Sequence, residues 1–311
     1  MNNEELLHAL GNLLLNNNKS ITLDLAFENF ISNAKCRCRT ESINYYNKTW
    51  KTLKETLKHL NLYNTSDINK VSYNQIIKVM MNKGYSVNYI NKFMDLLKMV
   101  MKINVDLEYI SFNPIAGIKK LKETLPQIQT ITKENVELIL NYLFSLKPTF
   151  TSVRNTLFIL LMNDTGIRAN ELIHIKIKNI HIDSNAIFLD YTKTHEPRWI
   201  FFQDITKHYL IEYLKFHNGN EYLLLDSDGK HMKKKNIYDT LDFIKAKLNI
   251  EQSITPHKWR HTFATNLIKN NVNLNTIMKV MGHTQYSTTK RYLHQETDEL
   301  KEQVLKVISI K

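Results

Sequence analysis

The amino-acid sequence predicts a mainly α-helical protein with one small antiparallel β-sheet. Only 7 glycines and 5 prolines occur in 311 residues, and they stand between segments whose apolar residues recur with helical spacing. One short region, residues 186–204, changes instead to the alternating or continuous apolar pattern of strands. A hydrophobic content of 43% is ample for two domain cores in a chain of this length.

Residues 22–113 are predicted to form a helical domain of four or five amphipathic helices, preceded by an N-terminal extension, residues 1–21. The second helix is the clearest, because its apolar residues form one stripe: Tyr46, Trp50, Leu53, Leu57 and Leu60. A different face of the same helix carries four lysines: Lys48, Lys51, Lys54 and Lys58. Such a face is either simply solvated or a contact surface for a polyanion.

A linker is predicted at residues 114–130, where Pro114, Gly117 and Pro126 interrupt the helical pattern. The second domain, residues 131–311, then begins with Thr132 as a helix N-cap. The next helix is predicted to end at Gly166, since glycine readily adopts the left-handed conformation that ends many helices.

The predicted sheet is a pair of strands, "AIFLDYTKT" and "RWIFFQD", with Lys193 near the turn between them. Helical spacing returns from about Ile205 and is predicted to dominate to the end of the chain. Thr255 and Pro256 have the residue types of an N-cap and a first helical position, so they mark the start of one of these helices.

The charge balance favours a polyanionic partner, because 42 lysines and arginines against 30 acidic residues give a net charge of +12. Neither a secretory signal nor an apolar run of about 18 residues is present, so we expect a cytoplasmic protein that does not contact membranes. The two cysteines, Cys36 and Cys38, are too few for a disulfide framework or a four-thiolate zinc site.

The stretch "TPHKWRHTFATNL" places His257 and Arg260 one turn apart at a predicted helix start. Unpaired N–H groups and the positive end of the helix dipole make that position suitable for a phosphate. His257 and His261 also have the i, i+4 spacing of a metal site, but Lys258 and Trp259 stand where a metalloprotease helix carries glutamate. We therefore expect an anion-binding site and no metal.

Two further motifs carry reactive or charged side chains. "TGIRANEL" places Arg168 three residues before Glu171, close enough for the acid to hold the guanidinium. "MGHTQYSTTKRYLH" contains His283 after a glycine and then two tyrosines, Tyr286 and Tyr292. Each motif alone has an ordinary explanation as a surface ion pair or a packed aromatic residue.

Together, "TGIRANEL", "YTKTHEPRW", "HKWRHTFAT" and "GHTQYSTTKRYLH" resemble, in order and spacing, the motifs of the tyrosine recombinase (phage integrase) family. The resemblance is strong over residues 130–296, and residues 22–115 are more loosely similar to the core-binding domain of that family. It implies an α+β catalytic domain and a two-domain, C-shaped clamp around double-stranded DNA, with the four lysines as candidate DNA contacts.

The resemblance also implies a mechanism of covalent catalysis without metal, ATP or other cofactor. Tyr292 would attack a DNA phosphodiester and form a 3′-phosphotyrosyl link; Tyr286 is the rival nucleophile, and the family spacing favours Tyr292. Arg168 and Arg260 would bind the non-bridging oxygens, because a planar guanidinium matches phosphate and stays charged.

The remaining roles concern protons and support. Lys193 would protonate the departing 5′-oxygen, His257 would take or return the tyrosine proton, His283 would donate a hydrogen bond to the phosphate, and Glu171 would hold Arg168. The position of Lys193 at the turn favours it over its rivals Lys176, Lys178 and Arg198.

The function implied is site-specific DNA recombination, with integration and excision of a mobile element favoured over Xer-type resolution of chromosome or plasmid dimers. Two other functions stay open: relaxation of DNA like a type IB topoisomerase, and DNA binding without catalysis. In similar proteins a C-terminal tail docks on a neighbouring subunit, so the tail from Thr297 is expected to join a tetramer on DNA.

Overall fold

The computed structural model describes residues 19–123, 128–191 and 197–282. They belong to two compact units, Met1–Leu125 and Pro126–Lys311. The boundary between the units lies inside the segment predicted as a linker. Lys193, His283, Tyr286, Tyr292 and the C-terminal tail are outside the described residues, and so is most of the predicted N-terminal extension.

The first unit is helical, as its sequence predicts. Its elements are α1 (Leu23–Lys35), α2 (Thr40–His59), a 3₁₀ turn (Thr65–Asp67), α3 (Lys70–Asn82) and α4 (Val87–Asp106). The apolar stripe of α2 faces the core, where the Trp50 ring stacks on Phe27 of α1 with ring centroids 4.5 Å apart. The stripe therefore acts as the packing face that the helical spacing predicts.

The second unit contains most of the helices and the sheet. Its elements are α5 (Lys133–Phe144), α6 (Phe150–Thr165), α7 (Ala169–Ile173), β1 (Ile180–His181), β2 (Ala186–Leu189), β3 (Arg198–Phe201), α8 (Asp204–Leu214), α9 (Lys234–Lys247), α10 (Pro256–Lys269) and α11 (Leu274–Met281). A mainly α fold with a small antiparallel sheet is thus confirmed.

The predicted helix boundaries of α5 and α6 agree with the structure. The Thr132 side chain accepts a hydrogen bond from the Asn135 backbone N–H at 3.3 Å, as an N-cap does. Gly166 ends α6 with φ of +58°, a conformation that costs glycine little. A β-carbon at Gly166 would also lie 2.5 Å from the Phe263 ring of α10. Glycine therefore allows α6 to end and α10 to approach its end closely.

The sheet has the order β1-β2-β3, with both pairs antiparallel and Leu189 opposite Arg198. The sequence predicts β2 and β3 but not β1, because two residues are too few to show a period. Along β3, buried Arg198 and Ile200 alternate with exposed Trp199 and Phe201. The strand therefore points a charged side chain into the interior of the second unit.

Helices make up most of the described residues after Ile205, as predicted, but one segment between them is irregular. Residues 215–233 contain no helix; isolated bridges join Lys176 to Tyr222 and Leu225 to His231. In this segment Leu223, Leu224 and Leu225 are all buried, so consecutive residues are apolar without helical spacing. Within the described ranges, no helix combines the length and the apolar content needed to cross a bilayer.

Candidate active site

The helix α10 begins as the sequence predicts, with Thr255 in an extended conformation at the N-cap and Pro256 at the first helical position. The Thr255 side chain makes no capping hydrogen bond, unlike that of Thr132. Trp259 is buried and fixes the helix on the core. His257, in the first turn, is exposed, and Arg260 follows it one turn later on the same side.

Arg260 is only 5% exposed, and its guanidinium joins two helix ends. Nη1 donates a hydrogen bond to the Gly166 carbonyl at 2.8 Å, and Nη2 donates to the Met281 carbonyl. Gly166 ends α6 and Met281 is the last residue of α11. The last carbonyls of a helix have no partner within it, so they are natural acceptors for a cation.

Arg168 stands at the N-cap position of α7, and the predicted contact with Glu171 is present. Its Nη1 donates to Glu171 Oε1 at 2.8 Å, and its backbone N–H donates to Oε2 at 3.1 Å. Nη2 donates to the Gly282 carbonyl at 3.1 Å. The Arg168 side chain remains 20% exposed, so part of it faces solvent.

The residue that the sequence did not single out as part of this cluster is Arg198, which the sequence suggested only as a rival of Lys193. Its Nη1 and Nη2 bind the two carboxylate oxygens of Glu171 at 3.0 and 2.7 Å. Its Nε donates to the Val280 carbonyl at 2.9 Å. All three of its nitrogens already donate to Glu171 or Val280, which argues against Arg198 as the general acid. The sequence did offer one sign of this role: Arg198 opens a predicted strand that is otherwise largely apolar, where a charged residue needs a partner.

Glu171 is the centre of this cluster and is 2% exposed. Burial alone would raise the pKa of its carboxyl group. The hydrogen bonds and positive charges of Arg198 and Arg168 outweigh that effect and hold the pKa below its ordinary value. Glu171 is therefore ionised at neutral pH, and its single negative charge is shared by two guanidinium groups.

The end of α11 collects all three arginines. Three consecutive carbonyls, those of Val280, Met281 and Gly282, accept hydrogen bonds from Arg198, Arg260 and Arg168 respectively. Successive carbonyls are close in space, so the structure brings Arg168 and Arg260 together at the end of α11. Glu171 contacts both Arg168 and Arg198. His257 lies one turn before Arg260 on α10, and the described chain stops one residue before His283.

The other lysine candidates have neighbours of their own. Lys176 forms an ion pair with Glu221 at 2.5 Å, and Lys178 lies in the 3₁₀ turn Ile177–Asn179. In the first unit, Lys54 forms an ion pair with Asp24 at 2.6 Å. The other three lysines of that face are exposed: Lys48, Lys51 and Lys58.

The described residues of the two units contain no candidate metal site. No group of three or more histidine, cysteine, aspartate or glutamate side chains there is arranged to hold a metal ion. His257 and His261 therefore have no third ligand among those residues. The chemistry that the described cluster offers is the binding of an anion by guanidinium groups.

Comparison with known proteins identifies the family of the chain. The model of the phage integrase family matches residues 129–299, more than half of the chain. The tyrosine recombinase XerA of Saccharolobus solfataricus is 36% identical over 156 residues, which are 50% of this chain and 51% of that protein. XerD of Oceanobacillus iheyensis is 24% identical over 249 residues, covering 76% of this chain and 82% of XerD.

Solved structures of similar fold include two DNA complexes. The Tn1549 transposon integrase in complex with transposon right end DNA has a TM-score of 0.74 at 18% identity, covering 93% of this chain and 100% of that one. The XerH recombinase in a post-cleavage complex with palindromic difH has a TM-score of 0.66 at 20% identity, covering 77% and 72%. The resemblance noted in the sequence is confirmed: the chain belongs to the phage integrase family, the tyrosine recombinases.

Proposed function

We propose that this protein cuts and rejoins DNA strands at specific sites through a covalent link to Tyr292. The observation that carries the proposal is the meeting of Arg168 and Arg260 at the end of α11, directly before the segment that contains His283 and Tyr292. Two guanidinium groups at one point match the two non-bridging oxygens of a phosphodiester. They would stabilise the charge that develops as the phosphorus becomes pentacoordinate.

In the proposed reaction, the Tyr292 oxygen attacks the phosphorus and the bond to the 5′-oxygen breaks. The phenolic proton passes to His257, and the departing 5′-oxygen takes a proton from Lys193. His283 donates a hydrogen bond to the phosphate. A 5′-hydroxyl from another strand then reverses these steps, so the bond energy is conserved and no cofactor is needed.

A nicked DNA duplex that releases the short downstream fragment carrying the new 5′-hydroxyl tests the proposal, because religation is then prevented. We expect an adduct that survives detergent, forms in the presence of chelator, and carries the nucleotide on the peptide that contains Tyr292. Mass spectrometry of the digested adduct locates the link. DNA binding without any adduct would instead favour a DNA-binding protein without catalysis.

We further propose that the lysine face of α2 contacts the DNA backbone. Replacing Lys48, Lys51 and Lys58 together with alanine is expected to weaken DNA binding. It should also flatten the dependence of log K on log salt by about 0.9 for each phosphate that is no longer neutralised. Lys54→Ala is the matched control and should change the slope less, because Asp24 already pairs with Lys54. Binding titrations at several salt concentrations measure both. Equal slopes for the triple variant and the unmodified protein would indicate a merely solvated face.

The biological role proposed is integration and excision of a mobile element in the cytoplasm, with Xer-type dimer resolution as the alternative. The relatives include both Xer recombinases and a transposon integrase, so they support DNA as the partner and favour neither role over the other. Mapping adduct positions on DNA flanking the gene distinguishes the two roles. Relaxation of a plasmid that lacks any special site would favour a topoisomerase.

We also propose that four copies assemble on two DNA sites, with the C-terminal tail of each docked on its neighbour. A chain that ends before Thr297 is expected to cleave DNA but not to form the four-copy complex. Sedimentation of DNA complexes, with and without the tail, measures this. Assembly that survives truncation would indicate that the tail packs on its own subunit.

A further inference from the structure

The proposed mechanism gives Arg198 no part, although this residue makes several of the hydrogen bonds around Glu171. It is 8% exposed and contacts both oxygens of Glu171 and the Val280 carbonyl. Its planar fork and the carboxylate form two parallel hydrogen bonds, the geometry that fixes both groups most strongly. The orientation of Glu171 is therefore set from β3.

That orientation is passed to Arg168. The same Glu171 oxygen, Oε1, accepts from Arg198 at 3.0 Å and from Arg168 at 2.8 Å. The other oxygen accepts from Arg198 and from the Arg168 backbone N–H. If Arg198 were absent, the carboxylate could turn towards Arg168 alone, and the Arg168 guanidinium would lose its fixed direction.

Arg198 also contacts the end of α11. A β-carbon at Gly282 would lie 2.9 Å from Arg198 Nη1, so glycine at this position leaves room for the guanidinium. Gly282 has φ of +62°, which a residue with a side chain adopts only with strain. Glycine at this position therefore allows α11 to end in the left-handed conformation, and it leaves space for Arg198 to reach the Val280 carbonyl.

We propose that Arg198 is a positioning residue for strand cleavage: through Glu171 it orients Arg168, and through the Val280 carbonyl it holds the last turn of α11. This inference rests on the proposed function. Arg198 itself does not touch the phosphate in this account. Its loss should therefore slow the chemical step and leave the affinity for DNA nearly unchanged.

The test measures the single-turnover rate of adduct formation at saturating DNA, and separately the DNA concentration that gives half of that rate. Arg198→Met is expected to lower the saturated rate about 100-fold, as a displaced catalytic group does, with the half-saturating concentration changed little. Arg198→Lys keeps the charge but not the fork, and it should restore part of the rate. Because lysine leaves a positive charge beside Glu171, the Arg198→Lys variant still tests the inference if the methionine variant does not fold.

A double-mutant cycle separates positioning from simple loss of stability. If Arg198 acts through Arg168, then Arg198→Met should cost less than about 3-fold in a chain that already carries Arg168→Ala. Arg154→Met is the matched control, because Arg154 is also buried in the second unit and donates to the Leu225 carbonyl at 3.1 Å. It should lower the denaturation temperature and leave the saturated rate unchanged at temperatures where the variant is folded.

Three results would overturn the inference. They are an unchanged rate in both Arg198 variants, full additivity with Arg168→Ala, or a loss of rate that Arg154→Met reproduces at equal stability. Failure of the unsubstituted protein to form an adduct contradicts the proposed function instead. That result is visible before any variant is compared.

Discussion

Replacing Tyr292 with phenylalanine is expected to abolish the covalent protein–DNA adduct while DNA binding stays intact. The substitution removes one oxygen atom, the one that would bond to phosphorus, and keeps the ring. Because no other group can form the same ester at that position, the rate should fall below detection rather than by a fixed factor. Detergent gels of nicked duplex reactions measure the adduct, and filter or gel-shift binding measures the affinity.

Tyr286→Phe is the matched control for this prediction, since Tyr286 also follows His283 within the same motif. It should form adduct at a rate within about 3-fold of the unsubstituted protein, as expected for a residue away from the reacting atoms. The opposite pattern, adduct from Tyr292→Phe and none from Tyr286→Phe, would reassign the nucleophile. Loss of adduct in both variants would point to a motif that must fold as a unit.

Arg260→Ala is expected to reduce the cleavage rate by roughly 10²–10³-fold, the usual cost of removing one donor that stabilises transition-state charge. It should also lower the free energy of unfolding. Two carbonyls, those of Gly166 and Met281, lose a buried charged donor, and each unsatisfied group costs about 1–3 kcal/mol. Rates on nicked duplex and urea denaturation curves measure the two effects separately.

Arg260→Lys helps to divide these effects, because lysine supplies charge without the guanidinium fork and should recover part of the rate. A second control changes the DNA instead of the protein. A neutral methylphosphonate at the cleaved position carries one negative charge fewer than the phosphodiester, in the ground state and in the transition state, so the deficit of Arg260→Ala should shrink markedly on that substrate. A deficit of the same size on both substrates would show that Arg260 serves the fold and not the phosphate.

Much of the fold followed from local patterns in the sequence. The stripe on α2, the N-cap at Thr132 and the left-handed end at Gly166 are local features, and each is visible within a few residues. The irregular segment at residues 215–233 was not visible in the same way. There, tertiary contacts bury consecutive apolar residues in short bridged segments, and composition alone does not distinguish that from helix.

The candidate site also has a part that the sequence motifs indicate and a part that they do not. Arg168, Glu171 and Arg260 belong to motifs, and in the structure Arg168 contacts Glu171 while Arg168 and Arg260 bind neighbouring carbonyls at the end of α11. The part played by Arg198 was missed because its partners are far away in sequence: Glu171 is 27 residues before it and Val280 is 82 residues after it. A buried ion cluster built from several separate elements has no local period. Only the folded chain reveals which carboxylate a strand arginine faces.

The alternation along β3 restricts how this strand can vary in length. Arg198 and Ile200 face inward and Trp199 and Phe201 face outward, so deleting one residue of the strand would exchange the two sets. Trp199 would then face Glu171, and the carboxylate would keep a single cation. Insertions and deletions compatible with a working enzyme should therefore occur in pairs within β3, or be confined to the segment that joins β2 to β3.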